Sequence, residues 1–435
     1  MDFTPTPEQA AARELAAQIF GDLSTPERLT GLGGATDSEV WKALIDAGLV
    51  GAVEETGLLG LVLMLEEQGR TTAQVPFATS CAYGLLAVAA HGSAAQRERL
   101  LPCLRDGSAV ATGAFPARGG IVVSAAEDPG RARLSGVVPW VPWLRDATHV
   151  VVAVREGPAR AAGVAHSLWM VRMPVSRVPV SGVPDTGVPD AGVPDAGVPG
   201  TGLPGKRMPG TRTSDTRTSD ARTSDARMPG TRTSGTRMSG TQTSDTQTSG
   251  TRTSGASWEP VELTAPWAAG RLVLDGAEAE RLGGPEAYED VRATARTAFA
   301  GLQAGVCAGS LARAVEYTNQ REQFGRPLAA KQGVQLRAAD AHMDVEAIRV
   351  TAYEAAWRRD EGLAYRSHAL TTAWWASEGG RRVVHTGQHL HGGMGADLEH
   401  PVHRHFLWGR QLDGYLGGGR EVLEELGDLI VGESA

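Results

Sequence analysis

Arg321, Phe324 and Gly325 sit within one five-residue stretch, Gln332 follows shortly, and Gln388 precedes the pair Gly392-Gly393. An arginine presents a planar fork of donors that matches the oxygens of a pyrophosphate, and it keeps its charge. Paired glycines let backbone N–H groups come close to a bulky ligand where a Cβ would collide. Together these residue types suit the grip of a phosphate-bearing ligand. Singly they have plainer uses: an Arg beside a Gly is commonly a surface ion pair, and Gly-Gly commonly stops a helix.

Such residues need rigid elements to present them. From about Pro285 the apolar spacing is helical, with helices expected over 292–321, 332–361, 364–387 and 421–431, four rods that fit a bundle. The first part of the chain also reads as helices. Thr6 followed by Pro7 is a start signal, and Ser93-Ala-Ala-Gln96 has capping-box spacing. Further helices are expected over 37–47, 58–69, 77–90 and 93–105. From about residue 110 the period falls to two, and 137–141, 149–154, 167–172 and 271–275 read as strands. The expected fold class is α+β, mainly α: an N-terminal helical domain over 1–110, a small β domain over 111–284, and a C-terminal helical bundle over 285–435.

Residues 173–257 interrupt the β domain with 17 pentapeptide units, from Met173-Pro-Val-Ser-Arg177 through Thr218-Ser-Asp-Ala-Arg222 and beyond. They hold no aromatic residue and scarcely a large aliphatic one, so they bury too little surface to offset ordering entropy; a long disordered loop is expected. Closure entropy grows only logarithmically with loop length, so the host domain tolerates the insertion.

Bulk properties exclude several classes. A net charge of −8 argues against a nucleic-acid groove. No run approaches the roughly 20 apolar residues of a membrane span, and the first residues carry neither a basic leader nor an apolar stretch. Cys81, Cys103 and Cys307 are odd in number and lack C-x-x-C spacing, so they read as buried or idle thiols in a reducing cytoplasm.

The order Arg321-Glu-Gln-Phe-Gly325, Gln332, then Gln388-His-Leu-His-Gly-Gly-Met-Gly395, inside a helical C-terminal third, resembles the acyl-CoA dehydrogenase family of flavoenzymes. Leu63-Met-Leu-Glu-Glu-Gln-Gly-Arg70 and Gly92-Ser-Ala-Ala-Gln-Arg-Glu-Arg-Leu-Leu-Pro102 resemble that family's N-terminal helical domain. The resemblance implies FAD as cofactor, an acyl-CoA thioester as substrate, electron-transfer flavoprotein as electron acceptor, and a hetero- or homo-tetramer. It also implies that Arg321, Phe324, Gln332, Gln388, Gly392 and Gly393 reach across a dimer interface to the adenosine and pyrophosphate of the adjacent subunit's FAD.

The same resemblance exposes departures. The reaction removes an α-proton, which requires a carboxylate beside the carbon. The family carries a Glu in the loop before the last helix; here that stretch is Asp413-Gly-Tyr-Leu-Gly-Gly-Gly419, and Leu416 occupies the base position. The alternative base position on the first bundle helix falls close to Ala295. Asp413 and Glu421 flank the loop as candidates for a relocated base, their plainer reading being solvated caps. Thr112 to Gly120 keeps little of the flavin-ring motif, and Trp140 stands at the flavin-edge tryptophan while Pro142 replaces a hydroxyl residue. His400-Pro-Val-His-Arg404 matches the pattern after the glycine turn.

This asymmetry resembles the non-catalytic, β-type subunit of actinobacterial heterotetrameric acyl-CoA dehydrogenases, which implies a homologous catalytic subunit as partner. A self-sufficient dehydrogenase with a relocated base, and a catalytically silent assembly or acyl-CoA-binding protein, stay open beside it. His385, His389, His391, His400, His403 and His405 crowd one region, where packing or capping is expected in preference to a metal site.

Overall fold

The computed structural model describes residues 3–115, 120–125, 130–156, 165–174, 255–415 and 417–434. Residues 175–254 of the repeat, and Leu416, lie outside them. The chain opens with helices α1 Pro7–Leu23, α2 Pro26–Leu32, α3 Ser38–Asp46, α4 Leu49–Thr71, α5 Phe77–Thr79, α6 Ala87–His91 and α7 Ala94–Arg105, a π-helical stretch Ser80–Leu86 joining α5 to α6. Their starts follow from the residues that precede them. The hydroxyl of Thr6 accepts from the Gln9 N–H at 3.3 Å while Gln9 Oε1 accepts from the Thr6 N–H at 3.0 Å; Ser93 and Gln96 repeat this reciprocal cap. Helix α4 bends at Gly57, φ +72°, where the carboxylate of Asp360 accepts from the N–H groups of Leu58 and Leu59 at 2.8 and 2.9 Å.

Strands β1 Ala111–Ala114, β2 Val122–Ala125, β3 Arg131–Val141, β4 His149–Arg155, β5 His166–Arg172, β6 Ala256–Pro260 and β7 Gly270–Arg281 form one sheet in the order β1-β4-β5-β7-β3-β2, with β6 also paired to β7. The β4 run is apolar from Val150 to Val154 because both faces are covered. Val151 and Ala153 pack into the core shared with the helices, while Val150, Val152 and Val154 fill a second core on the other face. The ends of the pentapeptide array belong to this sheet. Met173 is buried in the second core, and Ala256 and Ser257 pair with Leu274 and Val273, so the expected limits of 173 and 257 overreach into folded structure.

The C-terminal half contains α8 Ala287–Gln320, a short hairpin of β8 Glu322–Gln323 and β9 Arg326–Pro327, then α9 Gln332–Asp360, α10 Arg366–Leu390, α11 Pro401–Tyr415 and α12 Gly419–Ser434. Helix α11 was not among the expected elements. Its buried positions Val402, His405, Trp408 and Leu412 keep a three-to-four spacing in which a histidine takes an apolar place.

Helix α8 is the central rod. An 18-residue window of it is long and apolar enough to cross a membrane by length and composition, contrary to the expectation for the sequence, but 72% of that window is buried within the protein. Its glycines let α4 approach backbone to backbone: a Cβ at Gly301 would lie 2.9 Å from the Val62 side chain, and one at Gly305 would collide with the Glu66 carbonyl. Gly69 on α4 answers, since a Cβ there would stand 2.7 Å from the Val306 nitrogen.

Candidate functional site

Arg321 ends α8 with an extended backbone, ψ 117°, and its carbonyl accepts from the Leu328 N–H at 2.8 Å to close the hairpin behind it. The hairpin reverses through Phe324, φ +57°, and Gly325, φ +74°. Two consecutive left-handed residues make the turn that best matches strand twist, but a phenylalanine there is strained. Phe324 is also 93% exposed, and its ring lies under the ammonium of Lys331, 4.8 Å from its centroid. Gln332 is exposed at the first residue of α9. Among the described residues, the Arg321 guanidinium makes no ion pair or hydrogen bond.

Gln388 lies in the last turn of α10, where its amide donates to the Gly395 carbonyl at 3.1 Å and braces a 3-10 turn, Gly392–Ala396. Gly392 has φ +62°, whereas a Cβ at Gly393 would meet nothing in this chain. The two groups of residues come together through Tyr317, one turn before Arg321, whose ring stacks on His391 with centroids 4.8 Å apart. All six residues singled out in the sequence thus fall on two neighbouring segments, and five of them are exposed, with Gln388 partly covered.

The interior differs. The π-helical stretch widens the turn that carries Tyr83, whose ring lies against Gly113 so closely that a Cβ there would be 2.6 Å from it. Tyr83 meets Phe115 and Phe299 at 5.2 and 6.4 Å, and its hydroxyl is hydrogen-bonded to that of Tyr415. Tyr415 packs on Phe299, Trp140 and Trp267 at 4.6, 5.6 and 6.1 Å. Burial pushes both tyrosine hydroxyls well above their usual value, so they stay neutral. Thr112, the surviving hydroxyl of the β1 segment, donates to the Pro142 carbonyl at 2.6 Å. The space between the β1 segment and the end of α11 is therefore filled by this chain's own aromatic side chains. Sequence reading missed this cluster because Tyr83 and Tyr415 are 332 positions apart.

Neither flanking carboxylate is poised for proton abstraction. Asp413 lies within α11 and not in a loop, and its oxygens accept from the Ser377 hydroxyl and from Arg410, the latter at 2.9 Å. Glu421 is exposed in the first turn of α12. Ala295 is buried on α8. The sequence also gave no hint of Glu425, which accepts paired bonds from both Arg292 and Arg296 at 2.8 to 3.0 Å and ties α12 to α8. Burial opposes its charge, but the hydrogen bonds from Arg296 and the positive charges of Arg296, Arg292 and Arg366 hold its carboxyl below the usual range. The histidines pack and cap: His391 Nδ1 lies 2.7 Å from the Gly387 carbonyl, His405 Nε2 3.0 Å from that of Arg70, and His385 meets Phe406 edge-on.

Comparison with known proteins agrees with this architecture. Residues 6–108 match the model of the acyl-CoA dehydrogenase N-terminal domain, and 290–426 match that of the acyl-CoA dehydrogenase C-terminal domain. The chain belongs to the acyl-CoA dehydrogenase family. Acyl-CoA dehydrogenase FadE27 of Mycobacterium tuberculosis is 40% identical over 174 residues, covering 37% of this chain and 46% of the relative, so the matched part spans less than half of that protein. Among solved structures, a variant of the Tcur3481-Tcur3483 steroid ACAD is 33% identical with a TM-score of 0.74, covering 98% of each chain. The ChsE4-ChsE5 complex of Mycobacterium tuberculosis gives 25% and 0.74, covering 99% of each. Butyryl-CoA dehydrogenase of Megasphaera elsdenii, at 19% identity and a TM-score of 0.71, shares the fold.

Proposed function

We propose that this chain is a base-lacking subunit of an FAD-dependent acyl-CoA dehydrogenase, and that it completes the cofactor site of a homologous catalytic subunit within a tetramer. One observation carries the reading: Phe324 is held in a strained left-handed turn, almost wholly exposed, beside an Arg321 whose guanidinium has no partner among the described residues. Strain of this kind persists where function demands it. The donor set fits the nucleotide end of FAD. Arg321 would take the pyrophosphate, Gly392 and Gly393 would let it approach the backbone, and Phe324, Gln332 and Gln388 would flank the adenosine. FAD, when bound, supplies an isoalloxazine ring that accepts the β-hydride of an acyl-CoA thioester. The interior of this chain does not fit that ring, since Tyr83, Phe115, Phe299 and Tyr415 fill the region. The base that removes the α-proton would then come from the partner, with Leu416 at this chain's own base position.

The likeness to a steroid ACAD and to a two-component complex supports a bulky acyl-CoA thioester and a heteromeric assembly. Electron-transfer flavoprotein as the acceptor and a cytoplasmic setting belong to the same proposal. The test is co-expression with a homologous catalytic chain. Two flavins per four chains are expected, and Arg321→Ala should strip most of them. Phe324→Gly should lower flavin retention while changing the stability of the isolated chain by no more than about 1 kcal/mol, because relieved strain offsets the lost Lys331 contact. A complex that stays colourless points to a silent assembly protein; flavin unchanged in Arg321→Ala overturns the lent-contact reading.

A further inference from the structure

Gly309, Arg313, Tyr317 and Arg321 follow one another at four-residue steps, so they form a row along one face of α8. The residues on either side of Arg313 show which way the row faces. A Cβ at Gly309 would lie 2.5 Å from Nε2 of the His405 ring, and Tyr317 stacks on His391. His391 meets His400 edge-on at 4.9 Å. Arg313 therefore looks onto three imidazoles, His391, His400 and His405. Burial first, and the Arg313 charge after it, holds all three below the usual imidazole value, His405 at about 4.

Arg313 itself is half-buried, and that burial disfavours its charge. Among the described residues it makes no hydrogen bond or ion pair. Glu316, one turn on, contributes only its field, and one of its oxygens accepts from Gln320 at 3.4 Å. A desolvated guanidinium facing neutral rings is an incomplete arrangement, because a buried charge without a counter-ion is destabilising.

The surroundings indicate what completes it. Residues 392–399 connect His391 to His400, and the segment exposes Met394 and Leu398, the latter at 77%. A partly buried arginine and exposed apolar side chains such as Met394 and Leu398 are residue types that protein interfaces favour. Eight residues of helix, about 12 Å, separate Arg313 from Arg321. We infer that Arg313 is a docking cation of the subunit interface and pairs with an aspartate or glutamate of the neighbouring dehydrogenase chain seated on residues 392–399. This rests on the proposed assembly, in which the Gly392-Gly393 turn faces a neighbour.

The experiment uses the co-expressed complex, with sedimentation over a dilution series at two salt concentrations and flavin counted per assembled tetramer. Arg313→Met should weaken assembly by about tenfold or more and flatten its salt dependence, with flavin per tetramer unchanged. Arg313→Lys should recover part of the affinity, and circular dichroism of each variant separates misfolding from lost docking. Wild-type assembly strength in Arg313→Met overturns the inference. So does flavin loss with assembly intact, which would make the anion a nucleotide phosphate. Arg321→Ala reports independently on the lent-cofactor reading, so either proposal can fail alone.

Discussion

The hydroxyl of Tyr83, on the π-helical turn, is hydrogen-bonded to the hydroxyl of Tyr415, the last residue of α11, inside an aromatic cluster completed by Phe299 and Trp140. Removing one partner leaves the other oxygen buried without its bond. Tyr415→Phe should destabilise the chain by about 1 to 3 kcal/mol, and the Tyr83→Phe/Tyr415→Phe double variant by less than the sum of the singles. Denaturant unfolding of the four proteins gives the coupling directly. Additive losses would show that the bond does not hold the cluster together.

A carboxylate alone should not restore catalysis. Leu416→Glu supplies the missing group at the family's base position, yet Tyr83 still packs against Phe115 and Phe299, which on the proposed reading leaves no room for a flavin ring. The isolated variant should therefore show no acyl-CoA-dependent dye reduction above wild type. Measurable turnover would mean that the cluster opens readily.

The approach of α8 to α4 depends on glycines. A Cβ at Gly305 would strike the Glu66 carbonyl, and backbone cannot swing aside as a side-chain tip can. Gly305→Ala should cost about 1 to 3 kcal/mol despite the better helix propensity of alanine. Gly393→Ala, where a Cβ meets nothing in this chain, should leave the isolated subunit's melting unchanged.

Acid should weaken the fold in two stages. His405 and His149 are held down to about 4 by burial, against an ordinary 6.5. The unfolded chain therefore binds protons between those values that the folded chain refuses, and stability falls as pH drops from 6.5 to about 4. For the fully buried His405 the loss is up to about 3 kcal/mol. Asp37, Glu66, Asp290 and Glu425 sit below the usual carboxylate range, so their stabilisation disappears only as pH falls further, through those depressed values. Unfolding free energy measured from pH 7 to 4 should slope downward, and His405→Asn should flatten the slope.

Local signals were readable from the sequence, while meetings between distant residues were not. Thr6 with Gln9, and Ser93 with Gln96, announce helix starts because a cap is completed within four residues. Arg321, Phe324 and Gln332 stay near one another because only the short hairpin and one 3-10 turn separate the end of α8 from the start of α9. The cap that Asp360 provides to Leu58 spans 302 positions, and no periodicity encodes such a meeting. Helix α11 was overlooked for a different reason: its buried stripe includes His405, and its glycines and histidines have weak helix propensity.

Strands β5 and β6 lie along the same edge of β7, with Val171 opposite Ala279 and Ala256 opposite Leu274. The five-residue difference between those β7 positions (279 − 274) corresponds to a gap of about 17 Å, which a handful of residues can bridge. The seam is thus length-neutral, because β5 is held by β4 and β7, and β6 by β7. Whole pentads can be gained or lost between Pro174 and Gly255 without shifting a single rung of the ladder, and a protein engineer could splice a reporter there for the same reason.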